Sequence, residues 1–392
     1  MMNEQKELRF IHISDTHFNY LPSMQFLDEE RYIDNKFNTL HQAIDYAINN
    51  NIKLIVHTGD VFHTTSPSYS YMMKMIKELM YGINNGITFL IISGNHDQPK
   101  IKSGFNPLQF LDHIKGVHIF IKPGIFVFEN VSFLAIPSPN QWSKVQTIFP
   151  AQMKELLKQV KMPNKVLVSH IQIKTIRDKS TDDIEPFIIE GIPSDDIPKV
   201  FNYVALGHVH RMQQIPGRPD MWYAGSSSQL SFNEENQEKY FLDVQLEGNG
   251  SKITPVKINN IYELYTLSVN VEKAKSGIDI NKIVMYYVNR QKFENNMIRI
   301  ILENCPDELL YSSEIDHLLK VIKDNNVMGV KILTLKKEIK IDIEQTKINE
   351  NDFIGNIQQE LNNYLKSKKL NDDEIMHLLE LSKEINEKES GV

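Results

Sequence analysis

The chain is poorest in cysteine, with a single residue, Cys305, among 392. One thiol excludes an intramolecular disulfide and fits a reducing compartment. No apolar run approaches the ~18–20 residues that span a bilayer, so no membrane partner is expected. The opening residues, MMNEQKELRF, carry no apolar core of a secretory signal, and the expected location is the cytoplasm. No internal repeat or low-complexity tract is evident. An excess of positive charge is also missing: the net charge is -7. Most of that deficit sits in residues 341–392, which carry 6 Lys/Arg against 12 Asp/Glu, while the preceding 340 residues carry 37 against 38. The body is therefore near neutral, and charge neither demands nor forbids a phosphate-rich partner.

What is present is ordinary globular material, 41% hydrophobic and 24% charged, in a chain long enough for two domains or one plus an appendage. From residue 9 to about 245, apolar β-branched runs alternate with helical-period segments. Residues 36–50 place Phe37, Leu40, Ile44, Ala47 and Ile48 on one face, and residues 68–84 do the same with Met72, Met75, Ile76, Leu79 and Ile83. This is α/β layering around a sheet. The stretch GVHIFIKPGIFVFENVSFLAIPS has short runs broken by Pro-Gly and Glu-Asn and reads as antiparallel, so the sheet is mixed or there are two sheets. The expected first domain is residues 1–258. A small α/β cap follows over 259–343, with strands in YELYTLSVNV, MIRIILE and VMGVKILTL and helices over 278–290 and 312–324. A polar linker over 344–352 leads to two amphipathic helical patterns within 353–392, the second opening on a capping-box-like Asn371 and Glu374.

Five apolar runs end in clusters of His, Asp and Asn: FIHISDTH, KLIVHTGDVFH, FLIISGNHD, KVLVSH and YVALGHVH. Gathering acids and imidazoles is costly unless a cation compensates them, and a divalent metal does so. If the runs are strands of one sheet, all five clusters fall at carboxyl ends, where open α/β sheets bind ligands. Asp15 and His17 are one residue apart, so in an extended segment both face one ion. Asp60 follows Gly59, which permits a sharp turn, and its two carboxylate oxygens can bridge two ions. In Gly94-Asn95-His96-Asp97, Asn95 offers a neutral oxygen. His96 could reach a phosphate there, and Asp97 could orient the imidazole so that it donates a proton to a leaving oxygen. His170 ends its run alone, but His208 and His210 alternate after Gly207 and can address two adjacent ions. Two carboxylates, one amide and four imidazoles without a thiolate suit Mn, Fe or Zn rather than Mg or Ca. Seven donors exceed one tetrahedral site and fit a bridged pair about 3.5–4 Å apart, which polarises a phosphoryl group and activates water. His12 and His57, inside apolar runs, read as core or as supports behind the ligands. His41, His113, His118 and His377 read as structural or surface groups, and His63 lies close enough to Asp60 to touch substrate.

In this order, D-x-H, G-D-x-x-H, G-N-H-D, a lone H and G-H-x-H resemble the calcineurin-like metallophosphoesterases. The histidine of GDVFH and the segment YAGSSSQLSFNEENQEKYF (223–241) are similar to the SbcD group of nuclease subunits, with Ala224 where that group has proline. The resemblance implies a sandwich of mixed β-sheets flanked by helices, an α/β cap and a helical tail. It implies that Asp15, His17 and His210 hold one metal and Asn95, His170 and His208 a second, with Asp60 bridging. His96 would act on the leaving group, Asp97 would orient it and His63 would contact the scissile phosphate. The implied cofactor is two Mn2+, with Fe or Zn as alternatives. The implied activity is cleavage of DNA duplex ends, hairpins and single strands, by a homodimer bound to an SbcC-like SMC-family ATPase that the tail grips. The setting would be the bacterial nucleoid, or host cytoplasm for a phage-encoded chain. Two other classes stay open on the residues alone: a phosphoesterase acting on nucleotides or phosphoproteins, and a DNA-end tethering scaffold.

Overall fold

The structure, a computed structural model, describes residues 8–99, 104–139, 141–176, 191–290, 293–306, 309, 318–320, 322–323 and 326–336. The expected linker at 344–352 and the helical patterns of 353–392 lie outside the described residues, as does most of the helix expected over 312–324. The described residues fall in one unit, Met1–Lys337.

The fold is built on period-two strands that are apolar on both faces. β1 (Arg9–Ile13), β3 (Leu54–His57) and β4 (Thr88–Ile92) run parallel. β5 (Val117–Phe120), β12 (Tyr240–Glu247) and β13 (Gly250–Lys257) complete their sheet, in the order β13-β12-β1-β3-β4-β5. A second sheet combines β6 (Gly124–Phe128), β7 (Val131–Ile136), β8 (Asn164–His170), β9 (Tyr203–Gly207), β10 (Gln213–Ile215) and β11 (Arg218–Tyr223), in the order β10-β11-β9-β8-β7-β6. Alternate residues sort themselves between the layers. Phe10, Leu54, Val56, Leu90, Ile92, Phe133, Val166, Val168, Tyr203 and Ala205 form the core between the two sheets. Their neighbours Ile11, Ile55, Phe89 and Ile91 face helices α1 (Glu29–Asn49) and α2 (Tyr69–Asn84). On the other side, Leu134, Leu167 and Val204 face α3 (Val145–Gln159). The result is a sandwich of two mixed sheets between helical layers, of the kind expected for strands buried on both faces.

Three details depart from the sequence reading. First, the five cluster-bearing strands do not share one sheet: β1, β3 and β4 belong to the first and β8 and β9 to the second. Their carboxyl ends still meet, because the sheets stack with those ends together. Second, Pro123-Gly124 is not a hairpin. β5 pairs parallel with β4, and the chain then crosses to the other sheet, where β6 pairs antiparallel with β7. Third, α1 begins at Glu29, about two turns before the expected start, with Asp28 accepting the Arg31 amide at 3.3 Å as its cap.

The cap contains parallel strands β14 (Leu264–Asn270), β15 (Met297–Cys305) and β16 (Gly329–Lys336), packed on α4 (Gly277–Val288). Its fourth strand, β2 (Phe26–Leu27), comes from the amino-terminal region and pairs antiparallel with β16. This strand stitches the cap to the loop that leaves the Asp15–His17 segment.

Phe10 is fully buried and meets Phe133 of the opposite sheet edge-on, at 5.5 Å between ring centroids. Phe10→Ala is expected to cost about 3–5 kcal/mol through the cavity it leaves. Urea titration followed by circular dichroism would show this as a lower midpoint.

Candidate metal centre

The loop after β1 departs from extended geometry. Asp15 and His17 both take left-handed backbone angles, φ 49° and 43°. The expected i, i+2 strand alternation is therefore not what aims them. Instead the loop is laid along the loop after β3: the Asp15 amide donates to the Gly59 carbonyl (3.1 Å), and the His17 amide to the Asp60 carbonyl (3.0 Å). Asp60 is also left-handed, at φ 52°. Such angles cost free energy in non-glycine residues and are held by the surrounding bonds. Gly94 is required by contact: a Cβ there would lie 2.0 Å from the Asp60 carboxylate.

Asp15, Asp60, His17, His170 and His210 are buried. Ligand atoms of Asp15, His17 and His210 lie within 4.8 Å of one another, as do those of Asp15, Asp60 and His170. Asp60 Oδ2 is 3.6 Å from His17 Nε2 and 3.3 Å from His170 Nε2, so it addresses both groups. Asn95 Oδ1 lies 2.9 Å from His170 Nε2 and 3.3 Å from His208 Nδ1. The His208 amide donates to both oxygens of Asp15 at 3.1 Å, which ties the β9 loop to the β1 loop. All seven expected donors thus converge between the carboxyl ends of five strands.

The donor set fits divalent cations for reasons internal to the geometry. His170 Nδ1 sits 2.8 Å from the Thr58 carbonyl, which only accepts, so Nδ1 carries the hydrogen and the Nε2 lone pair faces the oxygens of Asn95 and Asp60. Converging lone pairs call for a cation. His17 Nε2 is a buried nitrogen with no hydrogen-bond partner among the described residues. Without metal, protons supply part of the missing charge. Burial works against a charged His170, yet the carboxylates of Asp60 and Asp15 raise it to about 10. Burial raises Asp15 to about 6 against the opposing imidazoles. Burial also opposes ionised Asp60, but His170, His96 and His17 hold it well below the usual carboxylate range. His17 is pushed down by burial and by neighbouring imidazoles.

His96 and His63 stand at the edge of this cluster. Their rings stack at 4.5 Å, and His63 Nδ1 lies 3.2 Å from His17 Nδ1. The expected hold of Asp97 on the His96 ring is corrected by the structure. Asp97 accepts the backbone amides of Val61 (3.2 Å), Phe62 (2.9 Å) and Gly94 (2.9 Å), which locks the Asp60 loop to the Asn95 loop. Burial and nearby Asp60 raise its carboxyl to about 7 despite those amides. The His96 ring is anchored instead by Nδ1 on the His63 carbonyl at 2.9 Å.

The sequence reading gave no role to Glu234. It is fully buried, lies 3.1 Å from His210 Nδ1 and is paired with Lys239 Nζ at 2.6 Å. Burial alone would raise its pKa, but Lys239 and His210 lower it. A carboxylate behind a ligating histidine fixes its tautomer and ring orientation. The 223–241 segment carried this residue, but 24 positions separate it from His210 and no spacing rule joins them. Behind the cluster, His57 and His12 are buried and both lowered to about 3, by burial and by a neighbouring imidazole for His12, and chiefly by burial and His170 for His57. His57 bridges Thr16 (3.1 Å) and the Gly59 amide (3.3 Å), and His12 bridges Tyr203 (2.9 Å) and Thr58 (3.1 Å). They support the ligand loops, as their apolar settings implied. His41 pairs with Glu78 at 2.8 Å, away from the cluster.

The model of the calcineurin-like phosphoesterases matches residues 8–212. The chain belongs to this family. Among relatives, it is 28% identical over 400 residues to the DNA double-strand break repair protein Mre11 of Sulfolobus acidocaldarius, covering 97% of this chain and 96% of that protein. It is 29% identical over 373 residues to Mre11 of Sulfurisphaera tokodaii, covering 88% and 86%. It is 27% identical over 259 residues to the SbcD component of the nuclease SbcCD of Staphylococcus epidermidis, covering 62% and 67%. The family match gives a fold and a divalent-metal chemistry for the cluster.

Glu234→Gln is expected to weaken divalent-metal binding by roughly 10–100-fold. Calorimetric titration of the ion-free protein with Mn2+ checks this; unchanged affinity would remove Glu234 from the metal centre.

Proposed function

We propose that this protein is a metal-dependent DNA phosphodiesterase, a 3′-to-5′ exonuclease and single-strand or hairpin endonuclease that processes DNA ends with an SMC-like ATPase. The observation that carries the reading is the convergence of seven N and O donors, with His96 and His63 at their edge, in a chain similar along nearly its whole length to Mre11. A tethering scaffold needs no such donor set. Phosphoesterases of other substrate classes share the centre, and the near-full-length likeness favours DNA.

In this reading Asp15, His17 and His210 would hold one ion and Asn95, His170 and His208 the other, with Asp60 shared between them. When bound, the ions supply positive charge against phosphoryl oxygens and make water a nucleophile at neutral pH. The N/O donors favour Mn2+, with Fe or Zn as alternatives. The chain's own residues do the rest. His96, with Nδ1 tied to the His63 carbonyl, has Nε2 to carry a proton to the leaving oxygen. His63, stacked on His96, is placed to contact the scissile phosphate. Asp97 keeps the two ligand loops in register. Residues 1–258 form the nuclease domain, 259–343 the cap, 344–352 a linker and 353–392 the segment that grips the ATPase. The active assembly is a homodimer.

His96→Ser is expected to lower Mn2+-dependent cleavage of end-labelled duplex and hairpin DNA by about 10²–10⁴-fold, with Mn2+ affinity unchanged by calorimetry. Retained cleavage would refute the role of His96. Chelation should abolish activity, and added Mn2+ should restore it. Removal of residues 345–392 should leave cleavage intact and abolish capture of an SbcC-like ATPase in a pull-down; undiminished capture would refute the tail assignment.

A further inference from the structure

Beside the metal centre, a cleft of about 390 Å³ opens between the Ile121–Pro123 crossover, the end of β7 and α3. We propose that it receives the base of a nucleotide flanking the scissile phosphate, an inference that rests on the DNA reading above. The cleft is coupled to the ligands from two sides. Gln98 lies one turn past Asn95, to whose carbonyl its amide donates (3.4 Å), and its side chain donates to the Ser138 carbonyl (2.5 Å). On the other side Gln141 precedes Trp142, whose ring packs against His208 at 5.2 Å between centroids. A group in the cleft therefore sits next to the Asn95 and His208 end of the centre.

Its chemistry suits a nucleoside. Gln98, Gln141 and Gln152 each offer a donor and an acceptor, and the edges of all four bases present both. Pro139 and its neighbouring prolines give flat apolar surface for a ring, and Lys122 gives one positive charge for a phosphate. Among the described residues no carboxylate lines the cleft, so none of them repels a nucleotide. Ser138 is 4% exposed and lines the cleft, yet its hydroxyl makes no hydrogen bond among the described residues. The hydroxyl is enclosed in the wall, so the groups that face a guest are the three glutamines and Lys122.

The test uses the full chain with Mn2+ and oligonucleotides carrying a reduced abasic residue on one or the other side of the scissile phosphate. The wild type is expected to lose roughly tenfold in kcat/KM at one of the two positions, in line with the worth of one held base. Gln141→Ala and Gln152→Ala should each lose roughly tenfold on the intact oligonucleotide and nothing further on that abasic substrate. Both variants should hydrolyse bis(p-nitrophenyl) phosphate at the wild-type rate, since that ester has no base. Equal wild-type rates on intact and both abasic substrates overturn the inference while leaving the nuclease reading standing, and this arm needs no variant. Variants that lose as much on the abasic substrate as on the intact one also overturn it. Absence of any DNA cleavage, with bis(p-nitrophenyl) phosphate still hydrolysed, overturns both.

Discussion

The carboxylate of Asp60 is the point on which the rest of the structure depends. It is buried where two sheets meet, with imidazoles of His17 and His170 within 3.6 Å. A charge in that position is tolerable only if opposite charge surrounds it. The protein arranges this by bringing the ends of five strands together and by keeping nearby backbone amides pointed inward, the His96 amide on Asp60 itself (2.8 Å) and the His208 amide on Asp15. In the ion-free chain, the same need raises His170 and Asp15 far from their ordinary values. Once the extra proton leaves His170, its Nε2 lone pair faces the oxygens of Asn95 and Asp60 across a space that divalent cations would fill. Gly94 is part of the local cost of that convergence, since any Cβ there would lie 2.0 Å from the Asp60 carboxylate.

A ring of supports keeps the donors from collapsing on one another. Thr58 fixes the tautomer of His170, Glu234 fixes that of His210, and Asp97 binds the loops after β3 and β4 with three amides. The two neutral histidines His12 and His57 sit behind, where burial keeps them uncharged. A charged group there would compete with the cations; a neutral one ties the loops together without that penalty. The edge of the cluster, His63 stacked on His96, is half-buried. The centre thus separates the converging carboxylates and imidazoles, which are buried, from His63 and His96, which are half-buried.

Much of this was legible in the residues. The strand period put Phe10, Leu54 and Val166 on one face and Ile11, Ile55 and Leu167 on the other, and each apolar run stopped where polar chemistry began. The seven donors could be named because each closely follows such a run. Other features were hidden. Nothing in FIHISDTH tells that Asp15 and His17 adopt left-handed angles, because those angles are imposed by hydrogen bonds to Gly59 and Asp60, in a loop far along the chain. Asp97 looked like a partner of its neighbour His96, but adjacency in a turn does not decide which way a carboxylate points, and three convergent amides outweigh one imidazole. Likewise Pro-Gly at 123–124 signals a turn without saying whether the chain returns to its own sheet or crosses to another.

By itself, then, the sequence determined the layer pattern, the residues that gather at the strand ends and the chemistry open to those residues, because side-chain type and period are local properties carried in the order of residues. Only the tertiary structure decided that two sheets rather than one bring the clusters together, that β2 pairs with β16 far along the chain, that Glu234 backs His210, and that Gln98, Gln141 and Gln152 line one cleft. These are relations between residues far apart in the chain. They are set by how sheets stack and which buried polar groups find partners, and no window of sequence contains them.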